Sequence, residues 1–139
     1  MSLLRDRILC TLLASCGLSG CDLFADQAPP PALSQQAIAT RDAPAQQVFR
    51  GSLAGAPAHL LVHDCEVFRV EPLAGGEVRW TSVLKPDPYP LWTSCERQSL
   101  SFDGSALTAT LGRQAFGAGG CCATGGTYRT VDGRSWKKL

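Results

Sequence analysis

Short alternating runs closed by Asp-Gly and Gly-Gly turns constrain this chain more than any other feature. "GEVRWTSVL" (residues 76–84) and "ALTATLGR" (residues 106–113) alternate apolar with polar positions, and "AHLLVHDCEVFRVEP" (residues 58–72) is rich in apolar and β-branched residues. None of them holds a helical period, so each reads as strand. "AGGE" at 74–77, "FDGS" at 102–105 and "VDGR" at 131–134 punctuate the runs. Gly-Gly and Asp-Gly admit positive φ at both central positions of a tight hairpin turn, so antiparallel neighbours follow. The expected fold is all-β: a small antiparallel β-sandwich or barrel of six to eight strands, stabilised by disulfides, over residues 48–139. Trp80, Phe68, Leu60, Val62, Leu107 and Leu111 are its core candidates.

The two Asp-Gly turns echo each other. "SFDGSAL" and "TVDGRSW" share a Ser or Thr, the Asp-Gly and a large apolar residue. The second resembles the Asp-box turn of β-propeller repeats, but a propeller needs several four-stranded blades and this chain is too short for them. Two similar hairpins are the expectation.

The N-terminal part is of another kind. "MSLLRDR" carries Arg5 and Arg7, an apolar run spans residues 8–18, and small residues and a cysteine follow. That is the layout of a secretory signal, and the run is too short for a stable transmembrane helix. Leu18-Ser19-Gly20-Cys21 resembles the lipobox of bacterial lipoproteins, which implies cleavage before Cys21 and diacylglycerol on its thiol. Leu13-Ala14-Ser15-Cys16 fits the same pattern, but would leave a shorter apolar run and an odd cysteine. Of the seven cysteines, processing at Cys21 removes Cys10 and Cys16, acylates Cys21 and leaves Cys65, Cys95, Cys121 and Cys122. Four thiols pair completely in an oxidising compartment.

The resemblance implies a protein held in the bacterial envelope by acyl chains on Cys21, facing the periplasm. Asp22 is associated with inner-membrane retention in enteric-type sorting; other bacteria read other positions, so both membranes stand. Residues 22–47, dominated by Ala, Gln and Pro, read as an extended tether, with "PALSQQAIA" able to form a helical turn or two.

The glycine-rich "GAGGCCATGGTY" (residues 117–128) surrounds Cys121 and Cys122. Adjacent cysteines close a small ring, so the expected bridges join Cys65 and Cys95 each to one member of the pair. The alternative is a soft metal such as copper on His63, Cys65, Cys121 and Cys122, with His59 nearby, or a reactive thiol site. Disulfides are the better fit to the compartment, and no cofactor is expected.

Catalytic signatures are missing from the sequence: there is no Gly-x-Ser-x-Gly elbow, no His-Glu-x-x-His helix and no phosphate-cradling loop. The expectation is a non-enzymatic binding domain. Thirteen Lys and Arg face twelve Asp and Glu, and loss of residues 1–20 takes Arg5, Arg7 and Asp6, leaving a balanced chain. Its ends differ, for residues 105–139 hold Arg113, Arg129, Arg134, Lys137 and Lys138 against Asp132, while residues 60–104 are acidic. Such polarity suits an acidic protein cleft, a glycan or an anionic lipid; nucleic acid does not fit the compartment. Tyr89 and Trp92 in "KPDPYPLW" (residues 85–92) are further recognition candidates on a proline-stiffened loop, unless Trp92 folds back as a lid.

"GGTYRTVDGRSWKK" (residues 125–138) resembles the Gly-x-x-Tyr and Trp-x-Lys pattern of membrane-bound inhibitors of C-type lysozyme, themselves small β-barrel lipoproteins. The resemblance implies that a loop at residues 124–128 and Lys138 enter an acidic hydrolase cleft. Glycines and Thr127 stand where that family carries a serine-bearing loop, and the cysteines sit elsewhere. Three functions are therefore carried forward: a lipid-anchored module binding an envelope partner, an inhibitor or immunity-type protein against an envelope hydrolase, and a thiol- or copper-handling protein.

Overall fold

The computed structural model describes residues 31–117 and 121–139. The expected signal, the lipobox-like stretch with Cys21 and the first part of the expected tether lie outside the described residues. The compact unit runs from Ala32 to Leu139.

Among the described residues eight strands form two antiparallel sheets. The first contains β1 (Val48–Leu53), β2 (Ala56–His63), β3 (Glu66–Pro72) and β4 (Val78–Leu84); the second contains β5 (Thr93–Phe102), β6 (Leu107–Ala115), β7 (Thr124–Thr130) and β8 (Lys137–Lys138). Each sheet is a meander in sequence order, as expected when every turn is a local hairpin. Phe49, Leu53, Leu60, Val62 and Val67 from the first sheet meet Leu100, Leu107, Ala109, Leu111 and Tyr128 from the second in one buried core.

The residues before β1 are not all tether. Helix α1 (Gln35–Asp42) is capped by Ser34, whose Oγ accepts from the Ala37 amide at 3.1 Å. The same hydroxyl donates to Glu77 Oε2 (2.5 Å), and the Ser34 amide donates to Glu77 Oε1 (2.8 Å), tying the helix start to the β3–β4 turn. Those bonds, the hydroxyl's first, hold the Glu77 carboxyl below its ordinary 4.5. Ala37 and Thr40 are buried. The expected tether, residues 21–47, thus gives up its C-terminal half to the folded unit.

The near-continuous apolar run of β2 is buried on both faces. Leu60, Leu61 and Val62 are 1%, 1% and 0% exposed, although alternation sends Leu61 to the face opposite Leu60 and Val62. One face meets the second sheet, and the other carries Phe68, Val70 and Trp80, where α1 packs on β4. Two core candidates belong to that outer layer. Trp80 stacks on Phe68 (ring centroids 4.9 Å apart), and its Nε1 donates to Thr40 Oγ1 at 2.9 Å. A half-buried indole still seeks such a partner, which the helix supplies. Leu60, Val62, Leu107 and Leu111 are in the main core as expected.

The 58–72 run is folded at its middle. Asp64 and Cys65 have φ of 46° and 57° and form the β2–β3 turn, which few non-glycine residues favour. Tertiary contacts hold it: Arg113 Nη2 donates to the Asp64 carbonyl and lies 3.2 Å from its carboxylate, and the Cys65 amide donates to Gln98 Oε1 at 3.0 Å.

The two Asp-Gly turns are built alike. Asp103 Oδ1 accepts from the amides of Ala106 and Ser105 (2.8 and 2.9 Å), and Asp132 Oδ1 from those of Ser135 and Arg134 (both 2.8 Å). These bonds hold Asp103 well below the ordinary carboxylate range and bring Asp132 to about 2.

Candidate binding groove

Cys65 is disulfide-bonded to Cys95, with Cα atoms 5.5 Å apart, and Cys121 is bonded to Cys122. The expected crossed pairing is therefore replaced. Its reason is the hairpin turn, which drives the Cys65 side chain from the first sheet onto β5 of the second, directly against Cys95. The bridge fastens sheet to sheet, and the exposed neighbours Cys121 and Cys122 are left with each other.

The alternative metal set of His63, Cys65, Cys121 and Cys122 is not assembled. His63 lies against Trp80 (5.2 Å between ring centroids), and Cys65 is committed to Cys95. His59 Nε2 accepts from Arg50 Nε at 3.1 Å, and burial, aided by the Arg50 charge, lowers its pKa. Cys65 also lies in a turn rather than on one strand face with His59 and His63. Among the described residues no group of three His, Cys, Asp or Glu is placed to hold a metal ion.

The basic C-terminal candidates are not brought together. Arg129 Nη2 pairs with Asp103 Oδ2 at 2.7 Å, joining the two sides of the second sheet's turn end. Arg113 is taken by Asp64. Arg134 lines a cleft of ≈ 250 Å³ with Leu53, Leu60, Arg69 and Asp132. Tyr89 sits on the loop between β4 and β5, and Trp92 is 86% exposed, which overturns the lid reading.

Lys138 belongs to a different place, a groove of ≈ 400 Å³ floored by glycine backbone. The register pairs Leu111 with Gly126 and Gly112 with Gly125, so β6 and β7 face each other here without side chains on β7. Gly125 has φ +116°, and a Cβ on it would lie 2.8 Å from the Leu111 carbonyl carbon and 3.0 Å from Gly112 Cα. Only glycine allows that approach. Thr110 and Thr127 pair across the same strands, on the sheet face opposite the buried Ala109 and Leu111, and both line the groove.

Arg97 and Lys138 supply positive charge, and Asp87 is the acid in the lining. Lys138 crosses Gly126, where a side chain would meet its Cε at 2.7 Å, and its Nζ lies 5.6 Å from the Tyr128 ring centroid. Neither Arg97 nor Lys138 forms an ion pair among the described residues. Thr124 Oγ1, also in the lining, is buried without a hydrogen-bond partner there. An unpaired buried hydroxyl costs about 1–3 kcal/mol, which a ligand's polar group would recover.

The segment 124–128, expected as a loop, is strand β7, and its adjacency to Lys138 comes from β7–β8 pairing. Arg97 was missed from sequence. Its signal, an isolated Arg opposite Gly112, exists only once the β5–β6 register is known.

Among the described residues no helix is long and apolar enough to cross a membrane. Comparison with protein-family models, with curated protein sequences and with solved structures gives no match to this chain.

Proposed function

We propose that this chain is a lipid-anchored bacterial envelope protein, acylated on Cys21, whose β domain is a non-catalytic module that binds an acidic envelope partner in the Arg97–Lys138 groove. One observation carries the binding part: two cations without ion-pair partners among the described residues and an unpaired threonine hydroxyl share a groove whose floor is bare backbone. A carboxylate entering it gains two charge-assisted contacts and closes on backbone at short range. The lipobox Leu18-Ser19-Gly20-Cys21 supports the anchoring.

The test compares wild-type chain with R97Q/K138Q as bait for envelope extract, the captured protein being identified and its affinity remeasured in purified form. Expected is an acidic protein whose binding weakens at least tenfold in the variant and falls steeply with salt. Equal capture by both baits refutes the groove, and peptide mass spectrometry showing an unacylated Cys21 refutes the anchor.

A second reading, inhibition of an envelope hydrolase, has one observation in its favour. Lys138 and the 124–127 segment, to which the lysozyme-inhibitor resemblance points, line this groove together, with Lys138 beside the Tyr128 ring. The full chain would then inhibit a C-type lysozyme, and K138A would relieve it; no inhibition by wild type refutes this reading.

A further inference from the structure

Three of the four cysteines of the folded unit meet at one residue, Gly112 on β6, and the fourth, Cys95, is bonded to one of them. The Gly112 carbonyl oxygen is 3.4 Å from Cys65 Sγ. The carbonyl of Arg97, its register partner, is 3.2 Å from Cys65 Sγ and 3.7 Å from Cys95 Sγ. Where a side chain would rise from Gly112 the second pair is seated: a Cβ there would collide with Cys122 Sγ and lie 3.2 Å from Cys121 Sγ.

The two disulfides differ in access. Cys65 is fully buried and Cys95 half-buried, whereas Cys121 and Cys122 are exposed. Exchange requires a thiolate to reach a sulfur atom, so an external dithiol meets the Cys121–Cys122 bond first. They differ also in electrostatics. Cys122 lines the groove that holds Arg97 and Lys138, with Asp87 as the opposing charge. A Cβ on Gly112 would be 3.3 Å from Arg97 Cβ, which places the Arg97 stem beside the same sulfur seat. A cysteine released beside two cations has its thiolate stabilised and its pKa lowered.

We propose that Cys121–Cys122 is a thiol–disulfide exchange site, accepting two electrons from a dithiol, small or carried on a protein, while Cys65–Cys95 keeps the sheets fastened. The thiolate of the dithiol attacks Cys121 Sγ, the Cys121–Cys122 bond breaks, and Cys122 leaves as a thiolate toward Arg97 and Lys138. The second thiol of the reagent, losing its proton to solvent or to Cys122, attacks the mixed disulfide and displaces Cys121. The dithiol departs as a disulfide, and both cysteines are left reduced. The site stands on the sulfur geometry and does not require the groove to bind a protein.

The experiment is a dithiothreitol titration of the full chain, with alkylation and peptide mass spectrometry at each step. Cys121 and Cys122 should become alkylated at dithiothreitol concentrations at least tenfold below those that release Cys65 and Cys95, with the circular dichroism spectrum unchanged. In R97Q/K138Q the reduced pair should alkylate about tenfold more slowly at neutral pH, the effect of a thiol pKa roughly one unit higher. Release of all four cysteines together overturns the proposal, as does alkylation of Cys121 and Cys122 before any reductant. An alkylation rate unchanged in R97Q/K138Q overturns the assignment of Cys122 as the stabilised leaving thiolate.

Discussion

Removal of Cys65–Cys95 and removal of Cys121–Cys122 are two deletions of one chemical bond with very different consequences. The first bridge spans a sequence separation of 30, and loop-closure entropy for such a ring corresponds to about 3 to 4 kcal/mol. It also fixes the Asp64–Cys65 turn and holds the sheets together, so C65A/C95A should lose at least that much. In a domain of this size the loss lowers Tm by roughly 15 to 25 °C. The second bridge joins adjacent residues and constrains almost none of the unfolded chain. C121A/C122A should therefore cost less than about 1 kcal/mol. Urea unfolding of the full chain under non-reducing conditions, followed by circular dichroism, measures both. Crossed pairing predicts another result: either double substitution would remove both bridges, and the two variants would be equally unstable. Equal losses would refute the connectivity and the reasoning built on it.

Three further outcomes follow from the same geometry. Gly125→Ala places a methyl group against the β6 backbone at φ +116° and should cost about 2 kcal/mol or more, read as a lower urea midpoint; a midpoint within error of wild type would mean β6 and β7 are not so close. Thr40→Val removes the acceptor of the Trp80 indole and should cost about 1 kcal/mol with a red-shift of tryptophan emission, while an unchanged midpoint would place α1 elsewhere. Asp132 is held at about 2 in the fold, chiefly by the Ser135 and Arg134 amides, against an ordinary 3.8. A depressed carboxylate contributes stability above its unfolded pKa and loses it as pH falls through the folded one, so wild type should exceed D132N at pH 6 and approach it between pH 4 and 2; a pH-independent difference would refute that role.

Much of the fold was readable because it is local. Alternation located β4 and β6, and Asp103-Gly104 and Asp132-Gly133 marked hairpins in which an Asp Oδ1 bonds to amides of its own turn. What was not readable depends on distant partners. Asp64-Cys65 is a turn because Arg113, Gln98 and Cys95 reach it from the other sheet. Leu61 is buried on the outer face to which alternation sends it, beside Phe68 in the register, so β2 is apolar on both faces. Within the sequence the 58–72 run is still too long for one ordinary strand, and a charged Asp at its centre is where a break falls most easily. The groove was half legible: Lys138 and the glycines stood out, whereas Arg97 emerges only from strand register.

The two sheets are used unequally, and this asymmetry points to where the molecule meets other molecules. The first sheet spends part of its outer face on α1, whose Thr40 takes the indole of Trp80, itself stacked on Phe68. Among the described residues no helix covers β6 and β7 of the second sheet, and in place of large side chains the groove there carries glycines and threonine hydroxyls between two cations. A bare β surface of this kind is poor in apolar contact and rich in short-range polar groups, so its occupant must bring negative charge and hydrogen-bonding groups rather than a hydrophobic plug. Filling the floor tests this without touching a charge. Gly126→Val directs a branched side chain into the position of Lys138 Cε. It should abolish partner binding even where the folded population stays high at low temperature, with the fold monitored by circular dichroism. Retained affinity in a folded G126V chain would move the binding surface off this sheet.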